Sequence, residues 1–108
     1  MRDEFEKLLK KEDIRAALST IRSKVKDPEQ KDELLKLLDG KEELLVAFLM
    51  DEDAKTRKNA ALLIGDLKLQ SAKDALLEAY AKEQTLFVKS SYLTALKQLD
   101  TEEDLAYF

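Results

Sequence analysis

The feature that most narrows what this chain can fold into is an internal repeat. Laid 32 residues along itself, the stretch 43–67 falls on 75–99. Leu44 and Leu45 then meet Leu76 and Leu77, Ala47 meets Ala79, Phe48 meets Tyr80, Arg57 meets Lys89, Ile64 meets Leu96 and Leu67 meets Leu99. Within each copy the apolar residues recur at steps of three and four, the period of one helical face, and nothing alternates with the period of two that a half-buried strand requires. A two-helix unit of this length leaves one apolar face open, so copies must stack before a continuous core exists.

Local punctuation agrees with helices joined by short turns, since only two glycines and one proline interrupt the 108 residues. Asp27-Pro28-Glu29-Gln30 reads as a helix start, with an Asp cap and a proline where its missing donor costs nothing. Asp39-Gly40 closes that helix, because glycine adopts the left-handed cap without strain. Ser71 and Thr101 each offer a hydroxyl cap with a carboxylate three residues on. The segmentation expected is 3–10, 12–26, 28–39, 41–51, 54–68, 72–83 and 86–99, with a further helix beginning at 102.

The second helix of the first copy, Thr56-Arg57-Lys58-Asn59-Ala60-Ala61-Leu62-Leu63-Ile64-Gly65-Asp66-Leu67, resembles the HEAT-like consensus of a basic residue, paired small residues, an aliphatic-Gly step and a final Leu. Val88-Lys89-Ser90-Ser91-Tyr92-Leu93-Thr94-Ala95-Leu96-Lys97-Gln98-Leu99 is similar to a weaker copy, and the short period is closest to the HEAT-like repeats of phycobilisome lyase subunits. The resemblance implies an all-α, right-handed α-α superhelix, a HEAT-like solenoid of about three to four antiparallel helix pairs. It divides a single domain into a degenerate capping repeat at 1–40, repeats at 41–68 and 71–100, and the start of a truncated repeat at 101–108. Leu105, Ala106, Tyr107 and Phe108 would there await a partner helix, and the expectation is a domain of a larger protein.

Composition removes most chemistry. There is no His and no Cys, so Ser-His-Asp triads, thiolate sites and zinc-type sites cannot be assembled. The lack of cysteine fits a reducing cytosol, so a cytoplasmic location is expected. Gly40 and Gly65 stand alone, which excludes a glycine-rich phosphate loop. Asp51-Glu52-Asp53 is the densest acidic group, yet Lys55 follows where a calcium loop needs its next ligand. One of these acids is expected to cap the helix near Ala54 and to pair with Arg57. Phe48 and Tyr80 occupy equivalent positions on the apolar stripe and are expected in the core. The longest apolar run, Leu44–Met50, is far below the roughly 20 residues of a membrane span. Met1-Arg2-Asp3-Glu4-Phe5-Glu6-Lys7 holds no apolar signal region. No metal, cofactor or membrane is expected, and no catalysis by the chain itself.

In a stack of HEAT type the second helices line the concave side. Rotation by 100° per residue from Thr56, Ala60, Leu63, Ile64 and Leu67 turns Lys58, Ala61, Leu62 and Gly65 outward, flanked by Arg57 and Lys68. The matching residues of the next copy are Ser90, Leu93, Thr94 and Lys97, flanked by Lys89. Of these, Arg57, Lys58, Leu62, Lys89, Ser90, Thr94 and Lys97 are the candidate binding residues. The net charge is −4, but residues 54–68 and 86–99 carry a positive excess. A mildly basic concave face therefore suits a protein or peptide partner, and RNA is possible through the same face. Arg57 and Lys89 also fit a structural ladder of bridges to turn acids. The function expected is a non-catalytic binding or scaffold module. The alternative is an N-terminal accessory domain of a larger enzyme such as an RNA methyltransferase, positioning RNA substrate, as similar-looking repeats precede methyltransferase domains in some bacterial proteins.

Overall fold

The computed structural model describes the backbone of residues 1–106 and the side chains of residues 1–100. Among the described residues there is no strand. The elements are α1 (Arg2–Lys10), α2 (Ile14–Lys24), α3 (Pro28–Leu38), α4 (Glu43–Phe48), α5 (Ala54–Asp66), a 3-10 turn (Gln70–Ala72), α6 (Lys73–Lys82) and α7 (Leu86–Ala106). The helical backbone passes through Thr101 without a break, so no separate helix starts there. The side chains of 101–108, on which a truncated repeat would rest, lie outside the described residues.

Two starts form as their residues dictate. Asp27 accepts the Glu29 amide with Pro28 at the first helical position, and Asp53 accepts the Thr56 amide at 2.9 Å. Gly40 takes φ 74° just past α3. Ser71 departs from expectation. It is exposed and caps nothing, because α6 is entered through the 3-10 turn, held when Gln70 donates to the Leu99 carbonyl at 2.8 Å. α2 begins two residues later than its pattern suggests, since Lys11 and Asp13 both adopt left-handed φ and turn the chain. Such residues cost about 1–2 kcal/mol each; at Lys11 the cost is offset by the cap bonds of the Lys11 and Glu12 amides to the Leu8 and Lys7 carbonyls.

Three second helices, α2, α5 and α7, lie side by side with α5 in the middle. They run parallel. Arg15 meets Asp53 and Arg22 meets Asn59 in ascending order across α2 and α5. Across α5 and α7, Arg57 meets Glu83 and, further along, Asp66 meets Gln98. Each packs on an antiparallel neighbour: α1 on α2, where Lys24 reaches Glu4, α4 on α5, and α6 on α7, where Lys73 reaches Asp100. α3 packs on α1, and Lys41 just beyond it lies over the Phe5 ring. The core between the layers takes Leu8, Leu18, Ile21, Leu45, Leu63, Ile64, Leu76, Tyr92 and Leu99, all essentially excluded from solvent. Each such aliphatic side chain contributes about 1.5–3 kcal/mol on burial.

The tightest approach is between α5 and α7 at Gly65. A methyl group there would stand 2.8 Å from the Ala95 Cα and 2.2 Å from Gln98 Oε1. Helix propensity alone would favour Gly65→Ala by about 1 kcal/mol. The contact with backbone, which cannot rotate away, reverses the sign. Urea unfolding of Gly65→Ala should show a net loss of about 1–3 kcal/mol, the range for overpacking; an unchanged or raised midpoint would contradict this contact.

Candidate binding face and the clamp at its edge

Arg57 is the best-fixed candidate, and it is fixed as a structural clamp. Its Nε and Nη2 meet the two carboxylate oxygens of Glu83 at 2.9 and 3.1 Å. Its Nη1 donates to the Asp51 and Glu52 carbonyls at 2.8 and 3.0 Å. One guanidinium thus ties the α4–α5 turn to the α6–α7 turn in a planar, bidentate geometry that suits arginine. The acids of its own turn offer carbonyls, where carboxylate pairing had been expected, and the ion pair comes from the next turn. Asp53 does cap the helix, and it also faces Arg15 at 3.5 Å.

Both turns are built alike. Asp51 accepts the Asp53 amide at 2.9 Å and Glu83 accepts the Thr85 amide at 3.1 Å, each two residues on, and Glu83 lies one repeat beyond Asp51. Tyr92 completes the group with its hydroxyl 3.2 Å from Glu83, fully buried. Burial first, and then the neighbouring Glu83 charge, push the Tyr92 phenol well up, so it stays protonated. Burial also pushes the Glu83 carboxyl upward. The Arg57, Thr85 and Tyr92 bonds outweigh it and hold that carboxyl below the usual carboxylate range. A carboxylate so held is a poor general base, and Arg57 has four of its five N–H donors already bonded, which leaves little for an anion in the roughly 330 Å³ cavity beside the clamp.

Lys89, the counterpart of Arg57, has its ammonium 5.1 Å from the centre of the Tyr80 ring. Phe48 is buried, as its stripe requires, while Tyr80 is partly open beneath Lys89. Ala61 and Gly65 do not point outward: both are buried where α5 meets α7, because α5 has neighbours on two sides. Lys68 adopts φ 53° at the end of α5 and donates to the Gln98 carbonyl.

Lys58 and Leu62 are half-buried on the remaining open side of α5, and Ser90, Thr94 and Lys97 are exposed on α7. Thr94 turns its hydroxyl onto the Ser90 carbonyl at 3.1 Å. Lys58 and Leu62 thus keep an open side of α5, and Ser90, Thr94 and Lys97 face solvent on α7, whereas Arg57 and Lys89 are engaged by Glu83 and by the Tyr80 ring. Two residues absent from the sequence reading join the row, Arg15 and Arg22 of α2. The signal for them was the absence of any acid between Ile14 and Lys24.

Among the described residues no three or more acidic side chains gather where a metal ion could sit, and no helix is long and apolar enough to cross a membrane. No family model, curated protein or solved structure matches the chain.

Glu83→Ala should strand Arg57 and the Tyr92 hydroxyl in a mostly dry site and cost roughly 2–4 kcal/mol in urea unfolding, near the range for breaking a buried pair. Because the folded Glu83 carboxyl titrates below its unfolded value of about 4.3, its stabilisation is full above that pH and is lost as pH falls through the folded value. Thermal melts of Glu83→Gln between neutral and acid pH should therefore fall less steeply on the acid side than those of the wild type. Parallel curves would remove Glu83 from the acid response.

Proposed function

We propose that this chain is a non-catalytic binding module built on HEAT-like repeats, stacked as a right-handed α-α solenoid. Its open row of second helices presents a mildly basic face to a protein partner. The observation that carries the reading is the parallel row of α2, α5 and α7, whose open side gathers cations while the acids of the turns are spent on caps and the clamp. Leu62 and Leu93 add apolar surface beside those cations, which favours a peptide, since a segment with both acidic and apolar side chains can use both. The absence of histidine and cysteine leaves no nucleophile or ligand set of the usual kind, and a cytoplasmic setting is proposed from the cysteine-free composition.

Fluorescence anisotropy with a labelled peptide of repeated Glu-Glu-Leu, alongside an oligouridine RNA, tests the reading. Peptide affinity should fall several-fold between about 50 and about 200 mM salt, as expected for solvent-exposed charges. Lys58→Glu combined with Lys97→Glu should remove peptide binding while the circular dichroism spectrum stays helical. Peptide binding indifferent to salt and to both substitutions, or tight binding of the RNA alone, would overturn it.

A further inference from the structure

Arg22 carries its charge into the α2–α5 seam without a counter-ion among the described residues. Its Nη1 donates to the neutral Asn59 Oδ1 at 3.2 Å, and its Nε is buried with no hydrogen-bond partner among the described residues. Arg15, seven residues earlier, shares the same side of α2 and is more than half exposed. Among the described residues its ion-pair partner is Asp53 at 3.5 Å, whose oxygen already accepts both the amide and the hydroxyl of Thr56. Exposed Ser19 lies between the two arginines on that stripe. Lys55 and Lys58 stand on the adjoining helix, and no acid lies within α2. Arg57 shows by contrast what this protein does with an arginine that ties turns together: four of its five N–H donors are bonded, two of them to a carboxylate.

We propose that the α2–α5 seam is the recognition site for an acidic protein segment, with Arg15 and Arg22 each taking a carboxylate and Leu62 offering an apolar neighbour. This rests on reading the row as a binding face and moves its centre from α5–α7 to α2–α5. The guanidinium fork matches a carboxylate in plane and geometry, and a turn of the Arg22 side chain brings its unsatisfied edge to the surface. Seven residues of helix place the two arginine Cα atoms about 10 Å apart along the axis, a spacing that an acidic helix offers between residues two turns apart. A continuous phosphate backbone fits less well, because Asp53 at the start of α5 and Asp66 at its end close the positive strip at both ends, whereas separate carboxylates can fall between them.

The same labelled Glu-Glu-Leu peptide and the full chain decide it. Arg15→Gln with Arg22→Gln should weaken peptide binding by about tenfold or more, the scale of losing charge-assisted bonds, while Lys36→Gln, exposed on α3 away from the row, changes it by no more than about twofold. Should Arg22→Gln disturb the fold, as judged by melting temperature, the exposed pair Arg15→Gln and Lys55→Gln serves in its place and should still weaken binding several-fold. Peptide binding that ignores the α2 substitutions but is lost with Lys58→Glu and Lys97→Glu would overturn the seam and leave the binding-module reading standing. Oligouridine binding that follows Arg15 and Arg22 when the peptide does not bind would overturn the acidic segment as partner. No binding of either probe by the wild-type chain would overturn both readings.

Discussion

The close approach of α5 to α7 is the constraint on which the rest of the structure depends. Ala61 and Gly65 bring the α5 backbone against Ala95, and this is possible only because neither partner helix has bulk at the crossing. Small residues there let Leu63, Ile64, Tyr92 and Leu99 sink into the layer beneath, where van der Waals contact and removal from water act together. α5 therefore has water on one narrow strip alone. Its weak amphipathic pattern, with alanine, leucine and glycine on several sides, is that of a helix surrounded by neighbours.

A second device sets the register of that packing. Arg57 holds the two inter-helix turns together through Glu83 and two backbone carbonyls, and the buried Tyr92 hydroxyl reads the same carboxylate. Taking these groups out of water is costly, so the arrangement stabilises only because nearly every donor and acceptor is matched. It also consumes the chemistry a binding site would need. A guanidinium with four of its five donors bonded and a carboxylate kept ionised have little left to offer a ligand, which shifts the candidate site from the edge of the helix layer to its open row.

On that row the polar groups are less completely matched. Thr94 bonds its own helix, Lys58 and Leu62 flank one another, and Arg22 keeps one donor unmet. The contrast between the saturated edge and the unsaturated α2–α5 seam rests on the same residue type in two settings. Position in the tertiary structure, more than the number of cations, separates a structural arginine from one available to a partner.

Among the described residues the all-helical content, seven α-helices and their approximate bounds were legible in the sequence, because helix period, caps and Gly40 act through neighbours a few residues apart, whereas the expected start at 102 proved to be the continuation of α7. The equivalence of Asp51 with Glu83 was equally legible in the 32-residue shift, although the partner of Arg57 was sought within its own turn. Rotation about an isolated helix placed Ala61 and Gly65 outward, since it assumes one buried face and α5 has flanking helices on both sides. The failed cap at Ser71 had the same origin, since Gln70 finds the Leu99 carbonyl across the chain, whereas the late start of α2 is local: left-handed Lys11 closes α1 onto the Leu8 carbonyl. Local pattern decided which segments are helical and which residues repeat. Which sides of those helices meet, and so which cations are spent and which stay open, was decided by packing between segments up to about forty residues apart, whose energies no local window contains.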